Sequence, residues 1–257
     1  LIIFAVEQHP RYPFIFAANR DERHDRPTRK ARFWKDAPDV LAGRDEVAGG
    51  TWCGVTRTGR FAAVSNFRDP GLHRDEASSR GDLVREFLTD ERSPRQYLAD
   101  LKEKASAYNG FNLLVGDLRT VTLGYLSNRG GGPEGLQPGI HGISNHLLNT
   151  PWPKVERSRK ALADLIETVG RAPPDTEALF DILRSTHRPP DDRLPDTGLD
   201  RKTERLVAAP FIINPTYGTR SSTVILLDSE STLTFIEKTY NSEGAVVDTR
   251  AYELDIT

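Results

Sequence analysis

The amino-acid sequence predicts an α+β fold, a four-layer αββα sandwich of two antiparallel sheets formed by residues 1–257 as one domain. Three observations carry that expectation. Apolar strand patterns and amphipathic helix patterns follow one another in the order strands, two helices, strands, two helices, strands. Two antiparallel sheets packed between helix layers bury both sheets and suit this order. No internal repeat, heptad run or domain-separating linker interrupts it.

The elements are read in chain order. Leu1-Ile2-Ile3-Phe4-Ala5-Val6 is an apolar run short enough for a buried strand, bounded by Glu7-Gln8-His9-Pro10. Pro13-Phe14-Ile15-Phe16-Ala17-Ala18 is the second, so the two should form a hairpin around residues 9–12. Residues 49–55 and 60–66 read as strands turning at Thr58-Gly59. After a polar stretch at 68–80, Ser79 or Asp82 caps a helix with Leu83, Val84, Phe87 and Leu88 on one face. Ser93-Pro94 opens another, with Tyr97, Leu98, Leu101 and Ala105 at helical spacing. Strands follow at 111–116 and 121–126, then a loop at 128–133 that lacks the Gly-Lys-Ser/Thr of a phosphate-binding loop. Residues 139–147 read as a short strand and turn. Thr150-Pro151 starts a helix presenting Val155, Leu162, Leu165 and Ile166, and 176–183 forms a shorter one. The polar, proline-containing stretch 189–204 is expected to be a mobile loop and a lid over a site. Closing strands are expected at 211–213, 222–227, 233–238 and 251–254.

Composition narrows the function. Lys and Arg number 35 against 37 Asp and Glu, and the formal net charge of −2 argues against nucleic acid or an anionic membrane as partner. Residues 20–32 are locally basic, six Lys/Arg against three Asp/Glu, which suits either an anionic ligand or a solvated loop. A single cysteine, Cys53, excludes internal disulfides and points to a reducing compartment, the cytoplasm in the simplest reading. Set within a strand pattern and without a neighbouring His, Cys53 reads as a packed apolar residue. No run approaches the ~20 apolar residues of a membrane span, so an integral membrane protein is not expected, and the opening run is too short for a signal-peptide core. His141 and His146 share a loop but match no zinc signature, so no metal site is expected.

The run Ala17-Ala18-Asn19-Arg20-Asp21-Glu22 follows the second apolar stretch. A guanidinium flanked by two carboxylates and an amide suits a rigid, charge-assisted cluster that ties down a loop or builds a site. A solvated turn with Asn19 or Asp21 as helix cap is the plainer alternative. Four further stretches accompany the opening Leu-Ile-Ile-Phe: Gly49-Gly50-Thr51-Trp52, Tyr108-Asn109-Gly110-Phe111-Asn112-Leu113-Leu114, Gly142-Ile143-Ser144-Asn145 and Tyr217-Gly218-Thr219-Arg220. Together, and in this order, they resemble the NRDE proteins, the transport-and-Golgi-organization family, across nearly the whole chain. The resemblance implies the sandwich of the N-terminal-nucleophile hydrolases. Family members begin Met-Cys just before the Leu-Ile-Ile-Phe stretch. A sequence opening on Leu1 therefore leads us to expect a Cys immediately upstream, exposed by removal of the initiator Met.

The same resemblance suggests roles. In the related choloylglycine and penicillin V acylases, the terminal amine activates its own side chain, a carboxylate orients it, and amides hold the oxyanion. Asp21 fits the orienting carboxylate and Arg20 the guanidinium beside it, although the acylase spacing sets its Arg three residues before the Asp. Asn66 and Asn145 fit the oxyanion amides, each otherwise a strand-end turn residue. Arg220 neighbours the position of a further acylase arginine. Such an enzyme cleaves a non-peptide amide without a metal or organic cofactor. The family is also associated with haem trafficking and with lipid or acyl-CoA homeostasis. The resemblance thus implies binding of an apolar, carboxylate-bearing small molecule. Haem is possible cargo: Arg20, Arg23 and Arg129 would pair its propionates, and axial ligation would fall to His, Tyr or Cys because the chain has no Met. Asn19, Arg23, Arg129 and His146 are the candidate ligand contacts.

Overall fold

A computed structural model describes residues 1–256. In chain order, β1 (Ile2–Val6), β2 (Phe14–Arg23), β3 (Thr28–Phe33), β4 (Val40–Asp45), β5 (Cys53–Thr56) and β6 (Arg60–Asn66) precede α1 (Arg80–Leu88) and α2 (Pro94–Lys104). Next come β7 (Phe111–Asp117), β8 (Thr122–Ser127), β9 (Gly131–Gly135) and β10 (Gly139–Ile143), then α3 (Pro153–Val169), α4 (Thr176–Leu183) and α5 (Arg201–Val207). The chain closes with β11 (Tyr217–Leu227), β12 (Thr232–Tyr240) and β13 (Val246–Asp255). A six-stranded sheet runs β10-β1-β2-β11-β12-β13 and a seven-stranded sheet runs β3 to β9 in sequence order. The strand pairings are antiparallel.

Alternation along β1 and β2 builds three of the four layers. Ile2, Phe4, Val6, Phe14, Phe16 and Ala18 meet Leu41, Val55, Phe61 and Leu114 of the other sheet. Their neighbours Leu1, Ile3, Ala5, Ile15 and Ala17 pack on Val155, Leu162, Leu179 and Phe180 of α3 and α4. With both faces covered, these strands must be apolar at every position, which is why they read as unbroken runs. On the far side, Leu83, Val84 and Phe87 of α1 and Tyr97, Leu98 and Leu101 of α2 cover Ala62, Phe111, Leu113 and Val115. The result is the predicted αββα order. Ser79 caps α1 by accepting from the Gly81 N–H, and Ser93 with Gln96 forms a capping box on α2.

Several expectations are corrected. The Asn-Arg-Asp-Glu run does not follow strand β2 but forms its last part, paired with β11. Strands β3 and β4 occupy residues left without structure by the sequence reading, whereas 49–52 lie outside any strand. Part of the expected 128–133 loop belongs to β9, α3 starts at Pro153 rather than at Thr150-Pro151, and 211–213 is not a strand. The presumed lid at 189–204 contains a 3-10 turn at Asp191–Arg193 and the start of α5, and Glu204 is buried there. No residue of that stretch lines the cavity between the sheets.

Two glycines make room for residues that line that cavity. A Cβ on Gly43 would meet the Trp52 ring at 2.3 Å, so β4 leaves the indole its place. At Gly50 a Cβ would meet the carbonyl carbon of Gly81 at 2.4 Å, main chain against the first turn of α1, and the Thr51 N–H donates to the Gly81 oxygen at 3.2 Å. Main chain cannot swing aside as a side chain can. Gly50→Ala is therefore expected to lower unfolding free energy by about 1–3 kcal/mol, the range of overpacked sites, in urea titration followed by circular dichroism.

Candidate functional site

A cavity of about 380 Å³ opens between the sheets. Leu1 and residues 19–22 line it from one sheet, Ser65 and Asn66 from the other, and the 77–81 turn entering α1, Asn145 and Tyr217 close it. Asn19, Arg20, Asp21, Asn66 and Asn145 thus line the same cavity as Leu1. Arg23, Arg129, His146 and Arg220 do not line the cavity. Arg23 is 69% exposed and pairs with Asp25 at 2.8 Å. Arg129 pairs with Asp69. His146 lies between Phe67 and Trp152, ring centroids 4.8 and 5.3 Å away, and shares a hydrogen bond with the Thr150 hydroxyl. Arg220 donates to the carbonyls of Arg23 and Arg26 at 2.8 and 2.9 Å.

The four side chains of the motif do not form one cluster. The Asn19 carboxamide donates to the carbonyls of Leu183 and Pro210, both at 2.8 Å, and accepts from the Ser222 hydroxyl at 2.6 Å. It ties β2 to the helix layer. Asp21 accepts from the Thr219 hydroxyl at 2.6 Å and, with Lys154 and Arg68, makes up the charged surroundings of the Leu1 nitrogen. Arg20 lies in the cavity wall with its guanidinium 4.3 Å above the Trp52 ring. Its side chain is only 8% exposed, and Glu22 stands 3.8 Å away, beyond hydrogen-bond reach. Nη1 of Arg20 is buried without a hydrogen-bond partner among the described residues.

A hydrogen-bonded chain runs outward from Asn66 and Asn145 in the cavity wall. Asn145, at φ +61°, a left-handed value that asparagine tolerates better than most residues, donates to the Asn66 carbonyl at 3.1 Å. Arg68 donates to the Asn145 carboxamide oxygen at 3.2 Å and to Glu204 at 3.0 Å, and Glu204 accepts in turn from Thr197. Buried Lys154 donates to the Val207 carbonyl at 2.8 Å. Burial pushes its amine down to about 8, with Arg68 adding and Asp21 and Glu204 opposing. The Asn66 carboxamide itself makes no hydrogen bond within the described residues, so its N–H groups are free. The sequence reading missed Arg68, Lys154 and Glu204, which neither motif nor spacing marks.

Glu237 was also missed, although it continues the inward alternation of Leu233 and Phe235 and was open to detection. Its carboxylate accepts from the Ala31 N–H at 2.7 Å. Cys53 is buried in the same inter-sheet space, its thiol pushed up by burial and by Glu237, which leaves it a packed apolar residue.

Residues 1–242 match the family model for transport and Golgi organisation 2. The chain belongs to that family. The order of motifs from Leu-Ile-Ile-Phe to Tyr-Gly-Thr-Arg had pointed to the same transport and Golgi organisation group. A transport and Golgi organization protein 2 homolog from Bos taurus is 37% identical over 256 residues, covering 93% of this chain and 92% of the relative. The homolog from Homo sapiens is 35% identical over 273 residues, covering 100% and 99%. Among solved structures, a mutant conjugated bile acid hydrolase from Clostridium perfringens superposes with TM-score 0.46 at 10% identity, covering 98% of this chain and 92% of the other. A Caenorhabditis elegans N-acylethanolamine-hydrolyzing acid amidase ortholog gives 0.45 at 12%, covering 88% and 92%. No described helix of this family member is long and apolar enough to cross a membrane.

Burial pushes the Glu237 carboxyl up from 4.5 to about 7, against the Ala31 N–H and the attraction of Arg20. Between those values the folded chain keeps a proton that the unfolded chain has released. The contribution of the neutral carboxyl is therefore full below pH 4.5 and lost as pH rises to about 7, roughly 3 kcal/mol in all. Glu237→Gln is expected to remove that part of the pH dependence, read as urea unfolding free energies of both proteins at pH 5 and pH 8.

Proposed function

We propose that the inter-sheet cavity binds the carboxylate end of a small apolar molecule, an acyl compound before haem, and that the protein carries it. The unpartnered Nη1 of Arg20 supports this reading most. A buried donor without an acceptor costs about 1–3 kcal/mol, more when charged, and a small side-chain shift that turns this nitrogen to an entering carboxylate would remove that cost with a short charge-assisted bond. Trp52, Ile2, Ala18 and Val64 supply apolar wall beside it. The volume of about 380 Å³ falls within the usual range of small-molecule sites. Haem fits less well. Arg23 and Arg129, the arginines expected to pair its propionates with Arg20, are engaged elsewhere, and of His, Tyr and Cys only Tyr217 and the buried Cys53 line the cavity.

Titration with a medium-chain fatty acid, followed by tryptophan fluorescence, should show saturable quenching, since Trp52 lies against Arg20. Arg20→Ala is expected to weaken binding about tenfold or more. Arg20→Lys should not restore it, because an ammonium cannot reproduce the planar fork. Equal affinity of all three proteins removes the reading.

A second reading, amide hydrolysis, is favoured by the register of β1. Leu1 faces the helices and Ile2 the inter-sheet side, so a residue before Leu1 would share the side of Ile2. If that residue is the Cys implied by the family resemblance, its sulfur faces the cavity and its amine lies near Asp21. The thiolate would add to an amide carbonyl, the free Asn66 carboxamide would hold the oxyanion, and the amine would leave with the proton from the α-ammonium. Water would then release the acid from the thioester. Hydrolysis of N-acyl amino acids, assayed by amine release, should fall at least a hundredfold in Asp21→Asn and vanish when the leading Cys becomes Ala. Activity that survives both changes excludes this mechanism.

A further inference from the structure

We propose that a second cavity, outside the sandwich, binds a small phosphomonoester. It encloses about 350 Å³ and shares no lining residue with the inter-sheet cavity. Three segments converge on it: the first turns of α3, residues 187–193 and Pro210. Pro153, Pro189, Pro190 and Pro210 form rigid apolar walls. Prolines offer no N–H, so recognition falls to the residues between those walls.

Arginine and lysine predominate among those side chains. Arg157 and Lys160, three residues apart, project from one side of α3, and His187 and Arg193 face in from the other segment. Arg157, His187 and Arg193 have no side-chain hydrogen-bond or ion-pair partner among the described residues, while Lys160 shares Asp164 at 2.6 Å. Glu156 is the one carboxylate in the lining. A local surplus of positive charge in a chain of net charge −2 is a feature of this cavity rather than of the molecule.

The arrangement is held in place. Arg205 of α5 donates to Asp191 at 2.6 Å and fixes the Asp191–Arg193 turn, and the Arg193 N–H donates to the Pro190 carbonyl at 3.0 Å. The Phe211 N–H donates to the Ser185 carbonyl at 3.0 Å, which anchors the segment just before His187. Buried Lys154 closes the floor, its amine engaged by Val207. A carboxylate presents two oxygens in one plane and fills one guanidinium fork. Donors approaching from two opposed segments match the three terminal oxygens of a phosphomonoester, whose charge of nearly −2 offsets the surplus. The proline walls suit the organic body of the ester.

Isothermal titration of the full chain with adenosine monophosphate, at about 0.15 M salt, tests this. A dissociation constant below about 1 mM is expected, with inorganic phosphate binding more weakly and competing. The double variant Arg157→Gln/Arg193→Gln alters exposed groups and should keep its unfolding midpoint. Its affinity for the nucleotide should fall about tenfold or more. Arg20→Ala, in the other cavity, should leave nucleotide affinity unchanged. Absence of binding, an unaltered constant in the double variant, or equal loss in Arg20→Ala would each overturn the assignment.

Discussion

Strand β2 has a neighbour on every side, and that confinement governs the rest of the molecule. It pairs with β1 along one edge and β11 along the other, lies under α4 on one face and over the second sheet on the other. Each residue of β2 must therefore match the layer it faces. Through Ala18 the match is apolar. From Asn19 to Glu22 the same alternation delivers polar groups into buried or half-buried surroundings. Asn19 goes to the helix side, where two carbonyls and a hydroxyl satisfy it, and Arg20 goes between the sheets, where nothing fully does. The irregularity in pairing between Thr219 and Ser221 falls opposite Asp21 and Arg20. There the Asp21 carboxylate meets the Thr219 hydroxyl.

What the sequence disclosed follows from how far each signal reaches. β1 and β2 were legible because burial on both faces leaves only apolar residues, and α1 and α2 because caps and helical spacing are local. β3 was illegible: Thr-Arg-Lys-Ala-Arg-Phe is a charged sequence, held by pairing with β4 and by Glu237, far along the chain. The seven-residue α5 was hidden in a polar stretch whose reason for order is the pairing of Glu204 with Arg68, 136 residues away. The site divides in the same way. Asp21 and Asn145 stand in motifs whose order was recognisable, and Asn66 ends a strand that its apolar run made legible. Arg68 and Lys154 became visible only once the elements were packed together.

The buried charges fall into two sets that differ in completeness. Arg68, Glu204, Asn145 and Thr197 satisfy one another, and a network so closed positions the cavity wall without calling for anything further. Removing a member would leave a buried charge unmatched, so the set is best understood as structure. Arg20 stands in the second set. Its indole support and its distant Glu22 hold the guanidinium in place but leave one nitrogen without an acceptor. Native structures rarely keep such a group unless something else completes it.

Glu237 shows why that missing acceptor is not supplied from within. It lies in the same inter-sheet space and is drawn toward its charged form by Arg20, yet burial holds its carboxyl near neutrality at about 7. No ion pair joins the two among the described residues. A fully ionised Glu237 set against Arg20 would close the space as the Arg68 network closes its own. Desolvation keeps this carboxyl weak, and the Ala31 N–H directs it toward β3. Nη1 of the guanidinium consequently stays buried in the wall of the cavity without an acceptor, a donor that the protein's own carboxylates do not take up.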